Sequence, residues 1–228
     1  MINKLLSIII PNQIKRKIYS SYLSKIKENN KRKNSHIPKF AIQHETIENT
    51  KLLLCREDLL KVLPKHGIVA ELGVDEGNFS ESILKINDPD KLILLDSWAS
   101  ERYNQNKRKD VEEKFDSQIK SGKVEIEIGL STDLGKKFQD NYFDWIYIDT
   151  DHGYQVTINE LKIWEPKIKE NGIIAGHDFI VGNWDNMVRY GVIEAVYEFC
   201  SKYKWEILYL TMEHNTSSSF AIRKIKLS

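Results

Sequence analysis

Two short stretches gather the residue types that move protons and hold cations. "YIDTDHGYQV" (147–156) places Asp149, Asp151 and His152 close together behind an apolar run, and "GIIAGHDF" (172–179) ends in His177 and Asp178. A histidine titrates near neutrality and suits a general base. Carboxylates suit a hard divalent cation, and such a cation lowers the pKa of a hydroxyl bound to it. Together the groups fit proton removal from a hydroxyl that then attacks carbon. Each also has a plainer use. Asp151 could cap a helix starting near Tyr154. His152 could be a turn histidine. His177 could face the helix layer while Asp178 faces a cleft, because neighbours on a strand alternate.

A second cluster lies upstream. "ELGVDEGNFS" (71–80) ends one apolar run and opens a helix. Gly73 and Gly77 allow a tight turn and close approach of a ligand to the backbone. Their spacing is G-x-x-x-G, not the G-x-G-x-x-G that grips a pyrophosphate, and Glu71 would repel a phosphate there. A dinucleotide is therefore disfavoured, and a ligand that is cationic or neutral at that point is favoured. Asp96 follows at the end of the next apolar run, where a carboxylate can accept hydrogen bonds from ribose hydroxyls. Ser97 and Trp98 come directly after it, and the Trp98 ring could lie against an adenine. Ser131 or Asp133 in "GLSTD" could bond the adenine edge or cap a helix.

These residues need a scaffold that brings several strand ends to one edge. Alternating apolar runs and amphipathic segments from Ile68 onward predict strands over 68–74, 91–98, 123–131, 143–150 and 172–179, separated by helices. "KWEILYLT" and "SSFAIRKIKL" predict two final strands with no helix between them, hence a hairpin. The expected fold is a doubly wound α/β sheet of seven strands, mostly parallel, with an antiparallel C-terminal hairpin. "NTKLLLCREDLLKVLPKHG" predicts an amphipathic helix ahead of it. Residues 1–40 are expected to form a basic helical extension and linker, and 41–228 the α/β domain. "IVGNWDNMVRYG" (180–191) sits above the presumed site. Its Asn183, Trp184 and Asp185 suit stacking and hydrogen bonding to a sugar.

With these motifs in place, the chain resembles the class I S-adenosylmethionine-dependent methyltransferases over about residues 66–225. "ELGVDEGNF" stands as the glycine signature and Asp96 as the ribose acid of their Rossmann-like fold. The resemblance implies that Glu71, Gly73, Gly77, Asp96, Ser97, Trp98, Ser131 and Asp149 hold S-adenosylmethionine, with the methionine end near Glu71 or Gly73. "YIDTDHGY" with "IWEPKIKENGIIAGHDF" further resembles the branch of sugar O-methyltransferases that tailor macrolide antibiotics and surface glycans. That branch implies His152 as the base, with Asp149 and Asp178 as ligands of Mg²⁺ or Mn²⁺. Here His177 stands where the metal-using members carry another acid, and a nitrogen ligand suits Mn²⁺, Fe²⁺ or Zn²⁺ better than Mg²⁺.

Composition narrows the partners. The 228 residues carry a net charge of +1, so no global attraction to nucleic acid is expected. The charge is uneven: residues 1–40 hold ten Lys/Arg against Glu28, a local +9 that leaves the remainder at −8. Ile14, Ile18, Tyr22 and Ile26 recur at helical spacing within that basic segment. This is the pattern of a helix lying on an anionic membrane, or packed on the body or on a second copy in a homo-oligomer. Leu5 to Ile10 is too short for a signal sequence or a span. Two distant cysteines give neither a disulfide framework nor a zinc spacing, and a cytoplasmic protein is expected. The expected activity is O-methylation of a carbohydrate hydroxyl. The alternatives are a catechol-like or antibiotic-type acceptor, and a non-catalytic binding protein on the same fold.

Overall fold

A computed structural model describes residues 11–183, 187–214 and 216–225. In chain order the elements begin with α1 (Asn12–His36), α2 (His44–Ile47), β1 (Lys51–Leu53) and α3 (Arg56–Val62). Next come β2 (Ile68–Leu72), α4 (Asn78–Ser82, continued by a π turn over Ile83–Asn87) and β3 (Lys91–Asp96). They are followed by α5 (Gln105–Lys114), α6 (Asp116–Lys120), β4 (Val124–Ile128), α7 (Ser131–Leu134) and β5 (Phe143–Ile148). The chain continues through α8 (Tyr154–Trp164), β6 (Ile168–Gly176), β7 (Gly182–Asn183), β8 (Val188–Arg189), α9 (Val192–Tyr203), β9 (Trp205–Thr211) and β10 (Phe220–Lys224).

The main sheet has the order β1-β9-β10-β6-β5-β2-β3-β4, and β7 and β8 form a separate small ribbon. β10 is antiparallel to both β6 and β9, whereas β1 to β6 and β9 all run in one direction. All seven expected strands form. The expected helix over "NTKLLLCREDLLKVL" does not form as one piece. Its first part is β1, an eighth strand paired with β9, and only Arg56–Val62 is helical.

Period-two alternation builds the core on both faces of the sheet. Along β5, Trp145 and Tyr147 face the layer that holds Leu59, Phe79 and Phe115. Ile146 and Ile148 face the layer of Ile158, Trp164 and Phe199. Burial on both faces is what a parallel central strand requires, and it explains why β2 and β5 read as continuous apolar runs. The exception is Glu71, which stands opposite Tyr147 and is 1% exposed.

The order of strands reverses between β2 and β5, and a crevice opens at their C-terminal ends. One backbone contact closes the base of that crevice. The Asp149 N–H donates to Leu72 O at 2.7 Å, and Gly73 has φ +89°. A Cβ on Gly73 would lie 1.9 Å from the Asp149 carbonyl oxygen, so only glycine fits.

Helix α1 stands apart from this core. It meets the body near its C-terminal end, where Asn30 Nδ2 donates to Met187 O (3.2 Å) and Arg189 Nε donates to Asn34 Oδ1 (2.8 Å). Ile14, Ile18 and Tyr22 remain 49%, 60% and 61% exposed. No helix of the described residues is long and apolar enough to cross a membrane.

Candidate active site

A cavity of about 980 Å³ occupies the crevice, a volume that suits a small-molecule site. It is lined by the ends of β2, β3, β5 and β6, by the loops after β3 and β4, and by the turn between β9 and β10. Of the expected residues, Glu71, Gly73, Asp96, Ser97, Ser131, Asp149, His152, His177, Asp178 and Asn183 all line it.

The glycine turn forms one wall. Asp96 Oδ2 accepts the N–H groups of Val74 (2.8 Å) and Asp75 (3.1 Å), and Oδ1 accepts that of Trp98 (2.9 Å). The carboxylate thus clamps the turn. A carboxylate has about four acceptor sites, so roughly one stays open to a ligand hydroxyl. Gly77 supports the turn from behind: it holds φ +70°, and a Cβ there would lie 2.9 Å from Phe115.

Trp98 departs from expectation. Its backbone has φ +41°, which swings the ring into the core. The ring is 1% exposed, Nε1 donates to Asp75 O at 3.0 Å, and the residue does not line the cavity. It braces the glycine turn and does not face an adenine. Asp133 also points outward, and among the described residues its side chain makes a long ion pair to Lys136 (3.8 Å). Ser131 lines the cavity without capping a helix, since its hydroxyl donates to Glu160. Thr150 donates to the same carboxylate at 2.7 Å. Burial raises the Glu160 pKa to about 7 against the pull of these two hydroxyls. Burial likewise raises Glu71 to about 8, although Ser80 donates to it.

The opposite wall carries the histidines. The alternation expected over 177–178 fails because Asp178 has φ +56°, which turns both His177 and Asp178 into the cavity. His152 Nδ1 lies 2.8 Å from Asp178 Oδ2, and its ring packs on Tyr190 at 4.4 Å between centroids. The Gly191 N–H holds the His152 carbonyl at 2.7 Å, which fixes the loop. His177 Nδ1 sits 3.6 Å from both Asp149 Oδ2 and Asp178 Oδ2, and its Nε2 is buried without a partner among the described residues. Burial opposes charge on either ring. The carboxylates outweigh it, raising His152 and bringing His177 to about 9. Asp178 is held far below the usual carboxylate range: burial works against this, and hydrogen bonds from His152, His177 and Ser217 prevail. Asp151 caps no helix. Its Oδ1 accepts the Gly153 N–H at 2.6 Å, closing the turn that aims His152.

Donor atoms of Asp149, His177 and Asp178 lie within 4.8 Å of one another, close enough for one cation. The two carboxylates and the imidazole fit a nitrogen-tolerant divalent ion. It would have to displace the proton that His177 otherwise holds between two acids. Trp184 and Asp185 lie outside the described residues. Sequence reasoning missed Arg56, Arg102, Tyr103, Glu160, Tyr190 and Ser217, all of which line the cavity. Only Glu160 left a trace, as an acid on the apolar face of α8.

Comparisons with known proteins agree with this geometry. Residues 70–179 match the model of a family described as a methyltransferase domain. A proposed rRNA methylase from Clostridium thermocellum aligns over 76% of this chain and 95% of its own, at 16% identity and a TM-score of 0.56. A proposed methyltransferase from Streptococcus mutans, in complex with S-adenosylhomocysteine, aligns over 75% and 96%, at 16% identity and a TM-score of 0.53. The chain spans 43% of a proposed sarcosine dimethylglycine methyltransferase from Galdieria sulphuraria, which covers 54% of this chain at 15% identity and a TM-score of 0.43. No curated protein matches.

Proposed function

We propose that the protein, whose residues 70–179 match a methyltransferase-domain family, is an S-adenosylmethionine-dependent enzyme that methylates a hydroxyl oxygen of a sugar on a glycan or glycosylated metabolite. The observation that carries this reading is the His152–Asp178 pair, 2.8 Å apart at the cavity wall. With Nδ1–H committed to Asp178, the lone pair of a neutral His152 lies on Nε2, so Nε2 is the nitrogen that takes a proton. The acceptor hydroxyl gives its proton to Nε2, and its oxygen attacks the methyl carbon in line as the carbon–sulfur bond breaks. The products are a methyl ether, S-adenosylhomocysteine and a histidinium that Asp178 stabilises.

Charge supports a neutral acceptor. Eight acidic side chains line the cavity against two arginines and two histidines, and of the eight Glu71 and Glu160 carry pKa values raised toward neutrality. Such a wall suits the cationic sulfonium and repels a polyphosphate chain. Tyr190 beside His152, and Asn183 on the ribbon, supply a ring and an amide for a sugar face. Labelled methyl transfer to a panel of glycosides, catechols and RNA tests the reading. A methyl ether on a glycoside is expected, and methylation of catechols alone would replace the sugar by a catechol.

A second element of the reading is a divalent ion held by Asp149, Asp178 and His177. When bound it would supply a Lewis acid that lowers the hydroxyl pKa. Transfer that falls with chelator and returns with Mn²⁺ is the expected result, and full activity in chelator would remove the ion from the scheme.

The exposed apolar stripe and basic charge of α1 support peripheral contact with an anionic membrane that carries the acceptor. Flotation with anionic vesicles tests this. Free protein that instead runs as a dimer would assign the stripe to a second copy.

A further inference from the structure

We propose that Arg56 binds the α-carboxylate at the methionine end of the methyl donor, and that β1 is the element that delivers it. The proposal rests on the S-adenosylmethionine reading above and adds a residue outside the matched 70–179 segment. Because β1 runs in the same direction as β9 and the parallel strands, its C-terminal end opens on the same edge of the sheet as Gly73 and Asp149. The chain leaves β1 through Leu54 and Cys55, and Arg56 then begins α3. The Arg56 backbone N–H donates to Glu213 Oε1 at 2.6 Å, which fixes where the side chain starts.

The guanidinium lies 4.6 Å over the Phe79 ring, lines the cavity and acts electrostatically on Glu71. Its ion pair is a long one, Nε to Glu57 Oε1 at 3.9 Å, so the planar fork is not taken up by a bidentate carboxylate. A methyl donor ending in an α-amino acid presents an ammonium and a carboxylate on one carbon. A site for that end needs an oxygen acceptor for the ammonium and a cation for the carboxylate; the Glu71 carboxyl, within electrostatic reach of Arg56, offers the first and Arg56 the second. The other cavity arginine, Arg102, stacks on Tyr103 at 5.0 Å in the loop after β3, on a different element from Arg56.

Calorimetry with two probes isolates this contact: S-adenosylhomocysteine, and 5′-methylthioadenosine, which is the same nucleoside thioether without the amino acid. Arg56→Ala is expected to weaken S-adenosylhomocysteine by about ten- to hundredfold, the loss typical of a charge-assisted hydrogen bond. Binding of methylthioadenosine should be unchanged. Arg56→Lys keeps the charge without the fork and should fall between wild type and Arg56→Ala. Equal weakening of both probes in both variants would make Arg56 structural and overturn the proposal, as would no weakening of either. A wild-type protein that takes up neither probe would instead sink the cofactor reading, and the Arg56 contact with it.

Discussion

Glu71 and Asp178 are both carboxyls at the cavity, 1% and 7% exposed, yet they titrate in opposite directions. Burial raises both. At Glu71 the offsetting donor is one hydroxyl, Ser80, and the pKa settles at about 8. At Asp178 the donors include His152 and His177, and the carboxyl stays ionised far below its usual range. Depth does not decide the charge of a strand-end acid here; the charge of its hydrogen-bond partner does. One wall of the cavity therefore holds a carboxyl that is mostly neutral below pH 8, and the opposite wall holds a fixed anion. On the mechanism proposed above, that division suits a base that must become cationic during the reaction.

The largest expected break in this contrast is His152→Ala. It should cut kcat by roughly 10²–10⁴-fold if Nε2 is the base. Single-turnover transfer measures it, and a loss under about tenfold would move the role elsewhere. Next is Asp178→Asn. Replacing the anion removes charged hydrogen bonds worth about 1.5–3 kcal/mol, read as a lower denaturation midpoint. The same change should lower the His152 pKa, seen by NMR titration, because the raising carboxylate is gone.

Glu71→Gln sharpens the other half. A carboxyl whose pKa is about 8 when folded and about 4.5 when unfolded favours the fold below 4.5 and loses that contribution as pH rises toward 8. Wild-type stability should therefore decline across that window, and Glu71→Gln should flatten the slope in denaturation series at several pH values. Asp178 has the opposite sign, since a depressed pKa stabilises above the ordinary value and is lost as pH falls through it. The smallest effect belongs to Ser80→Ala. It removes the hydroxyl donor to Glu71 at a cost of about 1 kcal/mol and should raise the Glu71 pKa further.

Much of this was legible in the sequence where local pattern and final geometry agree. Apolar runs gave β2, β3, β5 and β6, and the residues just past them are the strand-end groups that line the cavity. Legibility failed wherever a single backbone angle or a distant pairing decided the outcome. Positive φ at Trp98 turned an expected aromatic contact into a core brace, and positive φ at Asp178 brought both members of the His-Asp pair to one side. β1 was hidden because "KLLLCREDLL" also satisfies a helical period. Only its pairing with Tyr209–Thr211, far along the chain, makes it a strand. Arg56 reaches the cavity from outside the motifs, so no spacing rule could have found it; Tyr190 lies within the 180–191 stretch but seven residues past Asn183, where only the β7–β8 pairing folds it back onto the site.

The contact between Gly73 and the Asp149 carbonyl also bears on how such an enzyme can be re-engineered. The glycine turn after β2 and the Asp149 backbone at the end of β5 are so close that no side chain fits between them. A substitution that moves β2 moves the β5 end with it, so neither can be exchanged alone. On the proposed function, acceptor preference would be redesigned from the parts of the lining outside this weld, the loop after β3 with Arg102 and Tyr103 and the β7–β8 ribbon with Asn183. Libraries confined to those two segments are then expected to change which molecule is modified and leave the proposed donor site in place.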